Sequence, residues 1–294
     1  MKANTASRTA QYMALYRALE TRRSRDRRLF TDPYAIHFLD RGFRLACRIS
    51  SFSPAESLFY YLMQRRIPGA LASGIARTRY IDELLEQTVR KGVRQVIILG
   101  AGFDTRALRL DCLQSVSVIE IDHPDTAHKK LQTLKKISSS ISPNIRYLQL
   151  DFNRQDLDSL LSEQIIDNTI PTTLVWEGVS NYLQQTAIDK TFAFAAKFPK
   201  GSSVIFTYVD KEVLEHPSSF FGAERLLKDL DEIEERWTFG FAPDQLPAYL
   251  RSFRYRLVED TGAAGYREKY LPERKSILKG YEFYRVALAE RGGE

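Results

Sequence analysis

The apolar positions follow two rhythms. From Thr9 to Arg28, Tyr12, Leu15, Tyr16 and Leu19 recur at helical spacing, which predicts a helix. "FTDPYAIHFL" follows, with Asp32-Pro33 as a turn and then a short helical stretch. Ala55 to Arg66 reads as a second helix stopped by Pro68 and Gly69. A third helix runs from Tyr80 to Lys91, with Ile81, Leu84, Leu85 and Val89 on its apolar face and Gly92 at the cap.

Beyond Gly92 the apolar runs shorten to strand length and alternate with helical segments. Strands are expected at Val96–Leu99, Val116–Ile121, Arg146–Leu150, Thr173–Trp176 and Ser203–Tyr208. The "TAID" at Thr186 has the form of a capping box and predicts a helix start between the fourth and fifth strands. Short buried strands alternating with helices predict an α/β fold, a mostly parallel sheet covered on both faces. After Asp210 the rhythm breaks. One long helix is expected from Pro217 to Trp237, another from Pro243 to Phe253, and two late strands at Tyr255–Glu259 and Phe283–Ala289. The expected division is a helical cap segment over residues 1–72 and an α/β core over 73–294, with a helical insertion at about 211–253.

Ligands of open α/β sheets bind beyond the carboxyl ends of the strands. Here those corners read Gly100-Ala101-Gly102, Glu120-Ile121-Asp122, Asp151-Phe152-Asn153 and Glu177-Gly178. Gly100 and Gly102 permit a tight turn and a close ligand approach. Thr105 stands where a dinucleotide fingerprint has its third glycine. Asp104 would repel a pyrophosphate, so the turn suits a ligand without phosphates and speaks against a nicotinamide-dependent dehydrogenase. Asp122, about 20 residues on, is placed to accept from ribose hydroxyls. Asp151 can accept from an adenine amino group, with Phe152 packed on the base. A phosphate-free, cationic nucleoside fits this ring of acids, and S-adenosylmethionine has that make-up. Acids after strands are also ordinary helix caps, so the weight lies in their number at successive corners.

Composition adds limits. The 294 residues are 44% hydrophobic and 27% charged, as in globular proteins. Two distant cysteines form neither a disulfide framework nor a metal-ligand spacing, and no metal is expected. No signal peptide and no membrane-length apolar run is apparent, so a cytoplasmic protein without membrane partners is expected. The net charge of +6 is uneven: residues 1–79 carry 15 Lys and Arg against 5 Asp and Glu. Arg17, Arg22, Arg23, Arg25, Arg27 and Arg28 crowd one segment, either a solvated face or a field that draws an acidic substrate. No nucleic-acid motif accompanies the charge.

"TDPYA", "ARTRYIDELL", "QVIILGAGFDTRALRL", "VIEIDHPDTAHKK", "LDFN" and "WEGVSNYL" together resemble the leucine carboxyl methyltransferase family, and most closely its bacterial branch of S-adenosylmethionine-dependent O-methyltransferases. The resemblance implies a class I methyltransferase fold, a Rossmann-like seven-stranded sheet with the last strand antiparallel, plus a helical cap. It implies that Arg77 binds the methionine carboxylate, that Gly100 and Gly102 line the amino-acid end, and that Asp122 holds the ribose. Asp151 and Phe152 then belong at adenine, and Glu177 at the ammonium or reacting centre. Phe152 stands where leucine is common, and Trp176 and Asn181 occupy positions that vary, so the acceptor pocket is not inherited. Glu177 and Tyr182 are the expected residues at the reacting centre, and Arg106, Tyr182 and Tyr208 the expected acceptor contacts. Arg106 has an alternative as partner of Asp104 or another acid. His123 belongs to the cofactor-side turn and is not expected to act as a base. The expected reaction is O-methylation of a small, acidic or hydroxylated metabolite. The alternatives are methylation of a protein C-terminal carboxylate, as in the namesake enzymes, and adenosyl-ligand binding without catalysis.

Overall fold

The computed structural model describes residues 8–49, 53–137, 142–150, 157–272 and 279–292. Helices α1 (Arg8–Arg22), α2 (Arg41–Ile49), α3 (Ser53–Arg66) and α4 (Ala70–Arg90) precede β1 (Gln95–Leu99). Then come α5 (Arg106–Arg109), β2 (Ser117–Asp122), α6 (Pro124–Ile137), β3 (Ile145–Gln149), α7 (Asp158–Ser162) and β4 (Thr172–Trp176). The chain continues through α8 (Gln185–Ala195), β5 (Ser203–Val209), α9 (Glu212–Glu215), α10 (Ala223–Glu232) and α11 (Leu246–Ser252). It closes with β6 (Tyr255–Gly262), α12 (Ala263–Tyr270) and β7 (Tyr284–Arg291).

The seven strands form one sheet in the order β3-β2-β1-β4-β5-β7-β6. β1 to β5 pair in parallel, and β7 runs antiparallel to both β5 and β6. This is the class I methyltransferase topology, with the reversed last strand the resemblance implies. Strand alternation divides the core in two. Ile97, Leu99, Ile119, Leu174 and Phe206 face α8 and α11 through Phe192, Leu246 and Leu250. Val96, Ile98, Val118, Val175 and Leu288 face α4 and α12 through Ile81, Leu84, Leu85 and Tyr266.

The departures have local causes. α4 begins at Ala70, ten residues before the expected start, and carries Arg77 inside it rather than before it. Residues 70–78 are buried all round, so no polar face marks them as helical. α1 stops at Arg22, where a turn takes over and the Ser24 carbonyl accepts from the amides of Arg27 and Arg28. The capping box at Thr186 does not form: α8 starts at Gln185, and Asp189 instead accepts from Gln185 and the Tyr249 hydroxyl. The long helix from Pro217 to Trp237 is broken. Gly222 turns the chain at φ +80° while packed on Pro68, and Trp237 lies beyond the end of α10, outside any helix or strand.

Candidate functional site

Register places the site. β1 and β2 pair Leu99 with Ile121, and β1 and β4 pair Ile98 with Val175. Gly100, Asp122 and Glu177 therefore emerge on one rim of the sheet. Gly100 has φ +64°, and a Cβ there would lie 2.4 Å from Val179 Cγ2, so the loop after β4 closes on the turn only because the residue is glycine. Gly102, at φ +49°, donates its amide to Asp122 Oδ2, while Asp122 Oδ1 accepts from the His123 amide at 2.7 Å. Burial pushes the Asp122 carboxyl above the usual aspartate range, and these two amide bonds pull against the shift. Asp151 and Phe152 lie outside the described residues.

A charge network backs the rim. Arg106 Nε donates to Asp82 at 2.7 Å, and its Nη1 donates to Asp104 at 2.6 Å and to Glu177 at 2.7 Å. Arg109 grips Asp82 with both terminal nitrogens, at 2.7 and 2.8 Å. Arg77 Nε donates to Glu177 at 2.8 Å, and its guanidinium lies 4.5 Å from the centre of the Tyr284 ring. Burial favours the neutral acids, but Arg106 together with Lys130 and Arg17 outweighs it at Asp104, and Arg106 with Arg77 outweighs it at Glu177, so both carboxyls titrate below their ordinary range. Glu177 is thus an anion held between two arginines and a poor proton acceptor. Arg106 lines the cavity, but its guanidinium is engaged by three acids of the chain, the alternative reading of its role. Arg77 keeps Nη1 without a hydrogen bond to any described residue, a nitrogen available to a ligand carboxylate.

The N-terminal helix is latched onto this rim. Asp32, 1% exposed, accepts Arg17 Nε at 2.8 Å and the Thr105 hydroxyl at 2.6 Å, and caps the turn that follows through the amides of Tyr34 and Ala35. Arg17 also donates to the Phe103 carbonyl at 2.5 Å. "TDPYA" therefore ties α1 to the glycine turn. Close approach reinforces it, since a Cβ on Gly74 of α4 would lie 2.7 Å from the Tyr16 ring. Asp32→Asn removes the counter-charge of a buried arginine. It is expected to cost about 3 kcal/mol and to lower Tm by roughly 5–10 °C in a thermal melt. An unchanged Tm would show that the latch contributes nothing.

A cavity of about 430 Å³ opens between rim and cap, within the size range of small-molecule sites. On its cap side stand Met13, Tyr16, Tyr182, Trp237, Tyr281 and Tyr284. Tyr182 is pushed up to about 12, chiefly by burial, and is therefore a neutral hydroxyl donor. Asn181 Oδ1 is buried at this wall without a hydrogen-bond partner, and Trp237 Nε1, beside the Tyr182 hydroxyl, makes no bond of good geometry, so both are polar atoms that a ligand could satisfy. Glu235 also lines the cavity and accepts from the Thr9 hydroxyl of α1.

Tyr208 corrects the expectation. Its side chain is fully buried on the α8 face of the sheet, where its hydroxyl donates to Asp260 at 2.7 Å and accepts from Arg285 at 2.9 Å. Alternation along β5 turns its neighbour Thr207 the other way, and Thr207 accepts the Gly178 amide at 2.8 Å. Of the crowded arginines, Arg17 alone lines the cavity, and it is paired. Met13, Tyr16, Trp237, Glu235, Tyr281 and Tyr284 were not foreseen. The aromatic run "YEFY" from Tyr281 to Tyr284 is the one sequence signal for them. Among the described residues no three His, Cys, Asp or Glu side chains are grouped to hold a metal ion.

Comparison with known proteins supplies the family and the fold. A family model described as leucine carboxyl methyltransferase matches residues 10–196. A Mycobacterium avium protein, provisionally named S-adenosyl-L-methionine-dependent methyltransferase, is 32% identical over 196 residues, covering 64% of this chain and 59% of its own. The chain thus spans less than two thirds of that relative's length. A Streptomyces avermitilis protein of similar provisional name is 31% identical over 217 residues, covering 74% of this chain and 72% of its own. Among solved structures, a provisional methyltransferase of Thermobifida fusca superposes with a TM-score of 0.60 at 16% identity, over 96% of this chain and 94% of its own. A DUF574 family protein of Streptomyces avermitilis gives 0.63 at 15% identity, over 98% and 99%. At that identity the structures speak for the fold, while the family match and the Streptomyces relative extend through the rim residues. The chain belongs to the leucine carboxyl methyltransferase family.

Proposed function

We propose that the protein is an S-adenosylmethionine-dependent O-methyltransferase acting on a carboxylic acid of a small metabolite. One observation carries the reading: a single cavity has acids and a glycine turn on its sheet side and hydroxyl and indole donors on its cap side. The sheet side suits the donor molecule. Asp122 would accept from the ribose hydroxyls, Arg77 Nη1 would meet the amino-acid carboxylate, and Glu177 would face the ammonium. S-adenosylmethionine supplies an activated methyl group, so the chain's task is alignment in a suitable field.

The cap side suits an anionic oxygen. The Tyr182 hydroxyl and Trp237 Nε1–H are buried donors that would fix one carboxylate oxygen while the other attacks. A carboxylate is already ionised near neutrality and requires no base. Glu177, paired with two arginines, is not placed to supply one. Glu235 favours a second reading, in which it takes a proton from an acceptor hydroxyl.

Rates measured over a panel of carboxylic acids and phenols decide between them. Methylation of an acid is expected to vary less than about threefold between roughly pH 6 and 9, and Glu235→Gln to keep activity within the same range. A rate that rises with pH and falls by roughly 100-fold in Glu235→Gln would establish the hydroxyl reading. Binding of S-adenosylhomocysteine without turnover of any acid or phenol would leave an adenosyl-binding protein. Turnover confined to a peptide with a free C-terminus would shift the acceptor to protein.

A further inference from the structure

We propose that helices α2 and α3 form a docking surface for an anionic lipid bilayer. Six large apolar side chains stand out as exposed among the described residues: Leu45, Ile49, Leu58, Tyr61, Leu62 and Phe221, each between 53% and 65% accessible. Five of them belong to α2 and α3. Phe221 joins them, because its neighbour Gly222 packs on Pro68, two residues beyond the end of α3. Single exposed leucines are ordinary, but this concentration on consecutive helices is not.

The charges say what covers it. α2 turns Phe43 and Cys47 inward and leaves Arg41, Arg44 and Arg48 exposed beside Leu45 and Ile49. On α3, Leu58, Tyr61 and Leu62 lie at i, i+3 and i+4, and the same face continues to Arg65 and Arg66. Between Arg41 and Arg66 the sequence has five arginines and one glutamate. The acids beside this face are Asp40, which caps α2 through the Phe43 amide, Asp229 of α10, which lies 3.8 Å from Arg66, and exposed Glu224, three residues after Phe221. Apolar side chains bordered by arginine are the pattern of helices that lie in a membrane interface, with apolar groups entering the headgroup boundary and guanidinium groups meeting lipid phosphates. A two-fold dimer through this face would bring the same arginines against one another, which disfavours a second copy as the occupant. This revises the expectation of a protein without membrane contact, and it does so for a peripheral mode, since no described helix is long and apolar enough to span. The surface adjoins the site, because α2 packs on α1 and α3 on α4, the helices that wall the cavity.

Co-sedimentation of the full chain with phosphatidylcholine vesicles, with and without phosphatidylglycerol, tests the proposal. The protein is expected to pellet with the anionic vesicles only, and less so as salt rises. Arg44→Ala with Arg48→Ala should weaken binding by about 25-fold, roughly fivefold per arginine. Leu58→Ser with Leu62→Ser should weaken it by at least about tenfold. Both double variants alter exposed side chains, and unchanged thermal melts and S-adenosylhomocysteine affinity would show that fold and site are intact. Wild-type protein left in the supernatant at low salt would overturn the proposal, as would equal binding to both vesicle types or wild-type binding by both variants. So would a dimer in light scattering that Leu58→Ser with Leu62→Ser converts to monomer without any vesicle binding.

Discussion

Asp122→Ala is expected to weaken S-adenosylhomocysteine binding by roughly 100-fold in isothermal titration, about 3 kcal/mol for a half-buried carboxylate that accepts from a ligand diol. Two effects combine. The variant loses the acceptor for ribose hydroxyls, and it frees the amides of Gly102 and His123 that hold the turn in shape. Asp122→Asn separates them. Its side-chain oxygen can still accept one amide, so the turn persists while the charge and one acceptor are lost, and a drop of about tenfold is expected. Affinity unchanged within about threefold in both variants would mean that the ligand lies elsewhere in the cavity, and the adenosyl reading of the rim would fail with it.

The rim was legible because it is written in consecutive residues. A buried strand ends, a glycine turn or an acid follows, and parallel pairing brings the corners to one edge. Gly100, Asp122 and Glu177 needed only strand ends and chain order to be placed together. The same logic located all five parallel strands within a residue or two. The cap wall had no such grammar. It is assembled from α1, the irregular chain at Trp237 and the approach to β7, and α1 is more than 200 residues from the other two. Tyr208 shows the limit from the other side: its position at the end of β5 was right, but one step of alternation turns it away from the cavity. Arg77 shows a third case. The first ten residues of its helix give no signal because residues 70–78 are buried on every side, and periodicity reports a helix only when one face is wet. Asp32 was seen as a turn residue, and its role as a latch requires Thr105, which lies 73 residues away.

Arg106→Met is expected to destabilise the fold by about 3–5 kcal/mol, lowering Tm by roughly 10 °C. Methionine fills much of the same space, so packing loss is small and the charge dominates. Arg106 is 3% exposed and is shared by three acids, of which Asp82 keeps Arg109 and Glu177 keeps Arg77. Asp104 has no second arginine among its hydrogen-bond partners and is left with the backbone amide of residue 106, so the cost concentrates there. Arg106→Lys should recover only part of the loss, since one ammonium cannot fork to three carboxylates. The pH dependence identifies the cause. Arg106 is the largest of the charges that hold Asp104 and Glu177 below their ordinary values of 3.8 and 4.5, with Lys130 and Arg17 adding to it at Asp104 and Arg77 at Glu177. A depressed carboxyl contributes stability that is present above its unfolded value and is lost as pH falls through its folded one. The gap in Tm between wild type and Arg106→Met should therefore be full at neutral pH and narrow progressively below about pH 4. A gap of constant size down to about pH 3 would assign the arginine's contribution to packing, and the electrostatic account of the rim would have to be abandoned.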